Sequence, residues 1–166
     1  QVERRGGVEV PERGIDAQFE GVGEGLGDEV RALGVRVVGA GGGTPRKITQ
    51  QAGHYARPRF SPDGKIIVFE KGQGGGLTSP LMSDAPGVYR ISSAGGAATR
   101  IATGVGNPHF GSTNDRVFLT EPGQNKRQLV STDLIGEAKR AHATGELATT
   151  YEVSPDGNHF AFRQNY

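Results

Sequence analysis

The sequence predicts an all-β fold made of repeated four-stranded antiparallel sheets, and three observations support this prediction. A hairpin segment centred on Phe60 recurs around Phe110 and again around Val153, at intervals of 50 and 43 residues. Glycine accounts for 28 of the 166 residues, more than twice its usual share of about 7%. No window sustains apolar residues at i, i+3, i+4 and i+7 over three helical turns. A repeat of about 40 to 50 residues is typical of propellers and other repeat arrays.

Each repeat predicts a β-hairpin, over residues 57–69, 107–119 and 150–162. The first and third copies close with Ser-Pro-Asp-Gly, in which Pro restrains φ, Asp bonds local backbone and Gly accepts a positive φ. The middle copy has 112–115 (Ser-Thr-Asn-Asp) instead, where Asn and Asp tolerate the left-handed region. We expect a positive φ at both turn glycines. The residues interpreted as structural turn residues are Ser61, Pro62, Asp63, Gly64, Ser154, Pro155, Asp156 and Gly157.

A second unit, strand–glycine turn–strand, occurs at 35–49, 88–102 and 129–142. Two hairpins in succession make four antiparallel strands, which is the composition of a propeller blade. The predicted fold is therefore a partial β-propeller of four-stranded antiparallel blades, two of them complete and two partial. The predicted boundaries are an irregular glycine-rich segment at 1–34, a partial blade at 35–54, complete blades at 55–104 and 105–147, and a partial blade at 148–166.

The number of blades predicts that the chain is a segment of a longer protein. Two complete and two partial blades would close a ring of three, whereas propellers have about four to eight blades. We expect uncovered sheet faces lined by Val37, Ile48, Phe160 and Phe162. Because such faces and edges invite pairing with other chains, we expect residues 1–166 alone to be insoluble, oligomeric or only partly ordered.

Charge and motifs exclude several function classes. The net charge of +1, with scattered Lys and Arg, argues against a nucleic-acid partner. The chain has no cysteine, which excludes disulfides and Cys-type metal sites and does not separate a periplasmic or secreted protein from a cytosolic one. It also lacks an apolar run of about 18 residues, a Gly-x-Ser-x-Gly elbow and a His-Glu-x-x-His motif. We expect no catalytic, cofactor-binding or metal-binding residues, no cofactor and no membrane span in this segment.

One connection is too long for a simple blade. Residues 70–86 separate two strands that a few residues could join, and loops of this length tend to be functional or disordered. We expect Lys71 to Pro86 to project from one end of the sheets and to carry the binding activity of the segment. The candidate binding-loop residues are Gly74, Gly75, Gly76, Leu77, Ser79, Met82 and Asp84.

The repeat resembles a known family. Residues 60–69, Phe-Ser-Pro-Asp-Gly-Lys-Ile-Ile-Val-Phe, with a following Gly-Gly turn, resemble the repeat of TolB-type propellers, which also occurs in tricorn-like and prolyl-oligopeptidase-like peptidases. The resemblance covers 35–166. Segments 74–83, 107–111 and 126–131 are similar to the TolB-like propeller that precedes the metal-dependent hydrolase domain of large bacterial amidohydrolases. The metal ligands of that family lie in a later barrel with a His-x-His strand, which is absent here, so no catalytic residue is carried over.

The resemblance implies three functions. The first is a non-catalytic propeller module of a larger amidohydrolase-like hydrolase, for substrate access or partner docking. Its partners would be the rest of its own propeller, a catalytic domain and a protein or peptide ligand. The second is a TolB-type protein-interaction module in a bacterial cell-envelope complex. The third is the gating propeller of a prolyl-oligopeptidase-like or tricorn-like peptidase. Fold alone does not choose among them.

Overall fold

The computed structural model describes residues 34–51, 53–76, 79–82, 84–104, 106–146 and 149–163, and its regular elements there are all β-strands. The predicted glycine-rich segment lies outside these residues except for Gly34. The strands are β1 Arg36–Gly39, β2 Gly42–Lys47, β3 His54–Phe60, β4 Ile66–Gly72, β5 Gly74–Gly76, β6 Ser79–Met82, β7 Gly87–Ser92, β8 Thr99–Ala102, β9 His109–Phe110, β10 Arg116–Pro122, β11 Lys126–Asp133, β12 Arg140–Glu146, β13 Thr150–Val153 and β14 Phe160–Arg163.

These strands form two four-stranded sheets and three hairpins, all antiparallel. Sheet I has the order β3-β4-β7-β8, and sheet II has the order β9-β10-β11-β12. The hairpins are β1–β2, β5–β6 and β13–β14. The hairpin β1–β2 precedes sheet I, and we call it the outer half-sheet. The hairpin β13–β14 follows sheet II, and we call it the inner half-sheet. This architecture confirms the predicted all-β fold with two complete and two partial four-stranded units.

The core lies between successive sheets. In β4, Ile67 and Phe69 belong to a cluster with Val35 of the outer half-sheet region, whereas Val68 belongs to a cluster with sheet II. Because successive side chains of a strand point to opposite faces, this strand is apolar on both faces and contributes to two interfaces. Phe118 of β10 likewise packs with the inner half-sheet, in a third cluster. Sheets stacked face to face through such clusters are the blades of a propeller.

The expectation about uncovered residues is wrong for Ile48, which is only 3% exposed. Its backbone N–H donates to the carbonyl of Val35, and its side chain packs against sheet I, so sheet I covers it. Val37 and Phe160 are also partly buried in clusters. Of the four residues, only Phe162 is strongly exposed, at 67%.

The Ser-Pro-Asp-Gly turns have the predicted geometry. Gly64 and Gly157 have φ values of 70° and 73°, which confirms the expected positive φ. The Ser61 hydroxyl donates to the Asp63 carboxylate at 2.6 Å, and Ser154 donates to Asp156 in the same way. These hydroxyl donors, followed by backbone N–H groups, lower the pKa of both carboxyls below the ordinary range. The aspartates are therefore acceptors within their own turns.

The middle turn is built differently. No residue from 112 to 115 has a positive φ, and the chain passes through consecutive bends. The Oδ1 atom of Asn114 accepts a hydrogen bond from the backbone N–H of Asp63 at 3.0 Å, which joins the turns of sheets I and II. Gly111 packs against Gly157, where an added Cβ would lie 3.0 Å from the Gly157 Cα. The three turns thus lie together at one end of the stack, which we call the turn face.

The opposite end carries the remaining connections. Here β4 ends at Gly72 and β7 begins at Gly87, and β10 ends at Pro122 and β11 begins at Lys126. The pairing of Glu70 with Val88 and of Ala56 with Glu70 places these residues at the same end. We call this end the insertion face, because the β5–β6 hairpin leaves sheet I from it.

Candidate functional site

The predicted insertion is a small hairpin. Strands β5 and β6 pair antiparallel, with Gly74 opposite Met82 and Gly76 opposite Ser79. Strand β6 lies against β3, the first strand of sheet I. Asp84 follows the hairpin and is exposed, and Leu77 lies outside the described residues.

The predicted start of the insertion at Lys71 is wrong. Lys71 lies within β4 and pairs with Gly87 of β7. Its side chain is buried, with Nζ 5.8 Å from the ring centroid of Tyr89. A cation over an aromatic face is stabilised by the ring quadrupole, which accounts for a buried lysine here. The insertion therefore begins after Gly72.

A cluster of polar side chains extends from the insertion face towards the turn face, and it consists of Arg57, Glu70, Asn107, His109 and Glu152. The Glu70 carboxylate accepts a hydrogen bond from the Arg57 guanidinium at 2.5 Å within sheet I. Its second oxygen accepts the backbone N–H of Asn107, which leads into sheet II. One carboxylate thus joins two blades. We call these five residues the inner polar cluster.

Asn107 and His109 extend the cluster to the inner half-sheet. The Asn107 side-chain amide donates to the carbonyl of Tyr151 at 3.0 Å. His109 Nδ1 lies 2.8 Å from the Asn107 carbonyl oxygen, which can only accept, so Nδ1 carries the hydrogen. His109 Nε2 lies 2.7 Å from a Glu152 carboxylate oxygen. The contact between Nε2 and Glu152 is an ion pair when the ring is protonated, and it does not have the geometry of a hydrogen bond.

Two residues of this cluster have an unusual backbone conformation. Arg57 and Asn107 occupy the same position of the repeat, and both have a positive φ, of 50° and 52°. Each directly precedes a proline, Pro58 or Pro108. Left-handed conformations are uncommon in residues other than glycine, and they cluster at functional sites. In β3 the pairing register also shifts between Ala56 and Arg59, which is a bulge.

The charged ends of the cluster face solvent while its centre is buried. The side chains of Arg57 and Glu152 are 56% and 65% exposed, whereas that of His109 is 9% exposed. A cation and an anion are therefore presented to solvent, the first hydrogen-bonded to Glu70 and the second in contact with the buried ring of His109. Such an arrangement can bind complementary charges of a ligand.

The two groups of residues singled out in the sequence lie at opposite ends of the sheets. The eight turn residues are on the turn face, and the described part of the candidate binding loop is on the insertion face. Within the described ranges, no group of three or more His, Asp or Glu residues could hold a metal ion. The same residues include no helix that could span a membrane.

A concave region lies between sheets I and II. This cleft has a volume of about 330 Å³, with Ile101, Leu119 and Val130 among its lining residues. Its polar lining includes Arg100 and an ion pair between Lys139 and Glu121. The cleft is open to solvent, and its lining residues lie outside the β5–β6 insertion.

No protein-family model matches this chain, and no curated protein matches it. Solved structures do. TolB from Acinetobacter baumannii aligns with a TM-score of 0.60 and 18% identity, over 78% of this chain and 31% of that one. Putative TolB from Agrobacterium tumefaciens aligns with a TM-score of 0.57 and 17% identity, over 82% and 53% respectively. An oligogalacturonate lyase in complex with manganese aligns with a TM-score of 0.55 and 16% identity, over 76% and 35%.

These likenesses establish the fold. The chain spans no more than about half the length of the structures that it matches. The matches are β-propellers, and the stacked four-stranded sheets correspond to their blades. The architecture of this chain is therefore that of β-propeller blades, similar to those of TolB.

Proposed function

We propose that this chain is a non-catalytic propeller module that docks a protein or peptide segment on its insertion face. The observation that carries the proposal is the meeting of two features at one end of sheet I. Arg57 of the inner polar cluster lies in β3 and is exposed to solvent, and the β5–β6 hairpin lies against the same strand. Packed sheets hold both features in place, as rigid scaffolds do for binding loops.

An extended peptide suits this face for two reasons. Each strand of the β5–β6 hairpin has an edge without a strand partner among the described residues, and such an edge can accept an added strand. Strand β5 is Gly-Gly-Gly, so a ligand backbone can approach it closely. The exposed guanidinium and carboxylate of the inner polar cluster would then select charged side chains or chain ends of the peptide.

We propose two kinds of larger protein or complex to which this module could belong. The sequence segments similar to amidohydrolase-associated propellers favour a module of a larger hydrolase, with the rest of its propeller and a catalytic domain as partners. Two of the structural matches are TolB proteins, which favours a TolB-type interaction module in a cell-envelope complex. Docking on the insertion face is common to both contexts. The gating propeller of a peptidase is the third and weaker candidate.

Peptides selected from a phage-displayed library of random linear sequences test this function. Two variants alter the proposed docking site. One replaces residues 74–84 with a Gly-Ser linker, and the other is Arg57→Ala/Glu152→Gln. We expect each to weaken binding of the selected peptides at least tenfold, equivalent to about 1.4 kcal/mol. Binding is measured by fluorescence anisotropy, and circular dichroism verifies the β content.

The matched control is Lys65→Ala/Glu137→Gln, which makes the same charge changes at exposed positions of the turn face. This control should bind the selected peptides as the wild-type chain does. Equal binding by all the variants, or a loss in the control alone, would contradict docking on the insertion face.

A further inference from the structure

His142 lies where sheet II meets the inner half-sheet. It belongs to β12, the outer strand of sheet II, and its ring contacts two phenyl rings. The ring centroid of His142 is 5.2 Å from that of Phe118 in sheet II and 5.4 Å from that of Phe160 in the inner half-sheet. The centroids of Phe118 and Phe160 are themselves 5.7 Å apart. One titratable ring therefore takes part in the packing of two successive sheets.

A chain of hydrogen bonds holds this ring in place. Arg116 of β10 donates from Nη1 to the Ser131 hydroxyl oxygen at 2.9 Å, and that oxygen lies 2.7 Å from His142 Nε2. Ser131 is 0% exposed, so its hydroxyl hydrogen needs an acceptor within the protein. A guanidinium only donates, which leaves Nε2 as the acceptor among these groups. The hydroxyl can donate to Nε2 only when the imidazole is neutral and its hydrogen is on Nδ1.

Protonation of His142 removes this acceptor and adds a like charge to a cationic site. The charged groups that face the ring are Arg116 of β10 and Arg140 of β12. The side chains that contact it from β11 and β14, Ser131 and Phe160, are uncharged. Partial burial and the two guanidinium groups lower the pKa of His142 below its ordinary value. Phenyl rings attract an imidazolium, but two like charges and the lost acceptor act together against it.

We propose that His142 is a pH-dependent latch between sheet II and the inner half-sheet. The latch is closed while the imidazole is neutral, and it opens when the ring takes up a proton and turns away from Ser131 towards solvent. The residue is exposed at the outer edge of sheet II, so a proton reaches the ring while the sheet stays folded. Opening withdraws the ring from Phe160 and loosens the packing of β13–β14 on sheet II.

The direction of the pH effect follows from the two states of the ring. In the open latch the ring has the ordinary pKa of a solvated histidine, about 6.5, and in the closed latch its pKa is lower. The open state therefore binds the proton more tightly, so acid favours opening. The closed latch has its full stability above about pH 6.5 and loses it progressively as the pH falls below that value.

Two other histidines contact acidic groups of the inner half-sheet. His109 lies beside Glu152 of β13, and protonation of His109 forms an ion pair that holds the half-sheet more tightly, which is the opposite effect. His159 Nδ1 lies 3.8 Å from the Asp156 carboxylate, within the β13–β14 turn itself. A test of the latch therefore has to separate His142 from both of these residues.

Hydrogen–deuterium exchange at about pH 8 and about pH 5, corrected for intrinsic exchange rates, tests the latch. In the wild-type 166-residue chain, we expect protection of β13 and β14 to fall about threefold or more at the lower pH, while protection of β11 is unchanged. His142→Gln keeps an acceptor for the serine hydroxyl but does not titrate, so its protection should not fall at the lower pH. The matched control, His159→Gln, should behave as the wild-type chain does.

Equal wild-type protection at both pH values would overturn the proposal. An equal loss in the wild type and in His142→Gln would also overturn it, because another group would then be responsible. The same holds for a loss that extends to both complete sheets, which indicates general acid unfolding.

NMR titration of the wild-type chain is a second measurement that needs no substitution. The His142 ring should titrate below the ordinary pKa of about 6.5, and a midpoint at or above that value would contradict the latch. The latch depends only on contacts between sheet II and the inner half-sheet, so its failure leaves the peptide-docking proposal unaffected.

Discussion

Replacing Phe69 with alanine is expected to lower the free energy of unfolding by about 3–5 kcal/mol, the range for truncating a buried aromatic side chain. Phe69 is 0% exposed and lies in the core cluster between the outer half-sheet and sheet I. Its ring contacts Tyr55 edge-on at a centroid distance of 5.4 Å and stacks on Tyr89 at 6.0 Å. Truncation removes both ring contacts and leaves a cavity between blades.

Urea denaturation followed by circular dichroism measures this effect. The control is Ile135→Ala, which truncates a side chain that is 61% exposed and should change the unfolding free energy by about 0.5 kcal/mol or less. A loss below about 1 kcal/mol for Phe69→Ala would mean that blade packing does not depend on this cluster.

Replacing Gly136 with alanine is expected to destabilise the chain by about 2–5 kcal/mol, from backbone strain and steric overlap together. Gly136 has a φ of +87°, in the left-handed region. An added Cβ would lie 2.3 Å from the carbonyl oxygen of Ile101. That oxygen belongs to β8 of sheet I, so the β11–β12 turn of sheet II cannot relax without separating the two blades.

Gly42→Ala is the matched control, because Gly42 has nearly the same φ, +89°, with no atom within 4 Å of the added Cβ. It should show the strain alone, about 1–2 kcal/mol. The difference between the two variants, measured by urea denaturation, isolates the contact between blades. Equal effects would contradict the close approach of Gly136 to Ile101.

The blades could be predicted from the sequence because their determinants are local. A turn such as 61–64 carries its own conformational preferences, and the apolar pattern of β4 shows that both of its faces are covered. The positive φ of Gly64 follows from the same local chemistry. These features repeat, so each copy supports the interpretation of the others.

The inner polar cluster could not be predicted, because its members meet only through the stacking of blades. Arg57 and Glu152 are far apart in sequence, and Glu70 joins two sheets through a backbone N–H. The sequence holds one signal of this cluster. Arg57 and Asn107 occupy the same position in two repeats, and each directly precedes a proline. The burial of Lys71 likewise depends on Tyr89 of the neighbouring strand.

Hydrogen–deuterium exchange, with and without a peptide selected against the chain, tests the docking face most directly. Backbone amides of a strand edge or connection exchange more slowly when a ligand covers them or bonds to them. We predict that the peptide slows exchange in segments 54–57, 70–76 and 106–107, which lie at the insertion face. Slowing confined to the turn-face segments 61–65, 112–115 and 154–159 would contradict the proposed docking face.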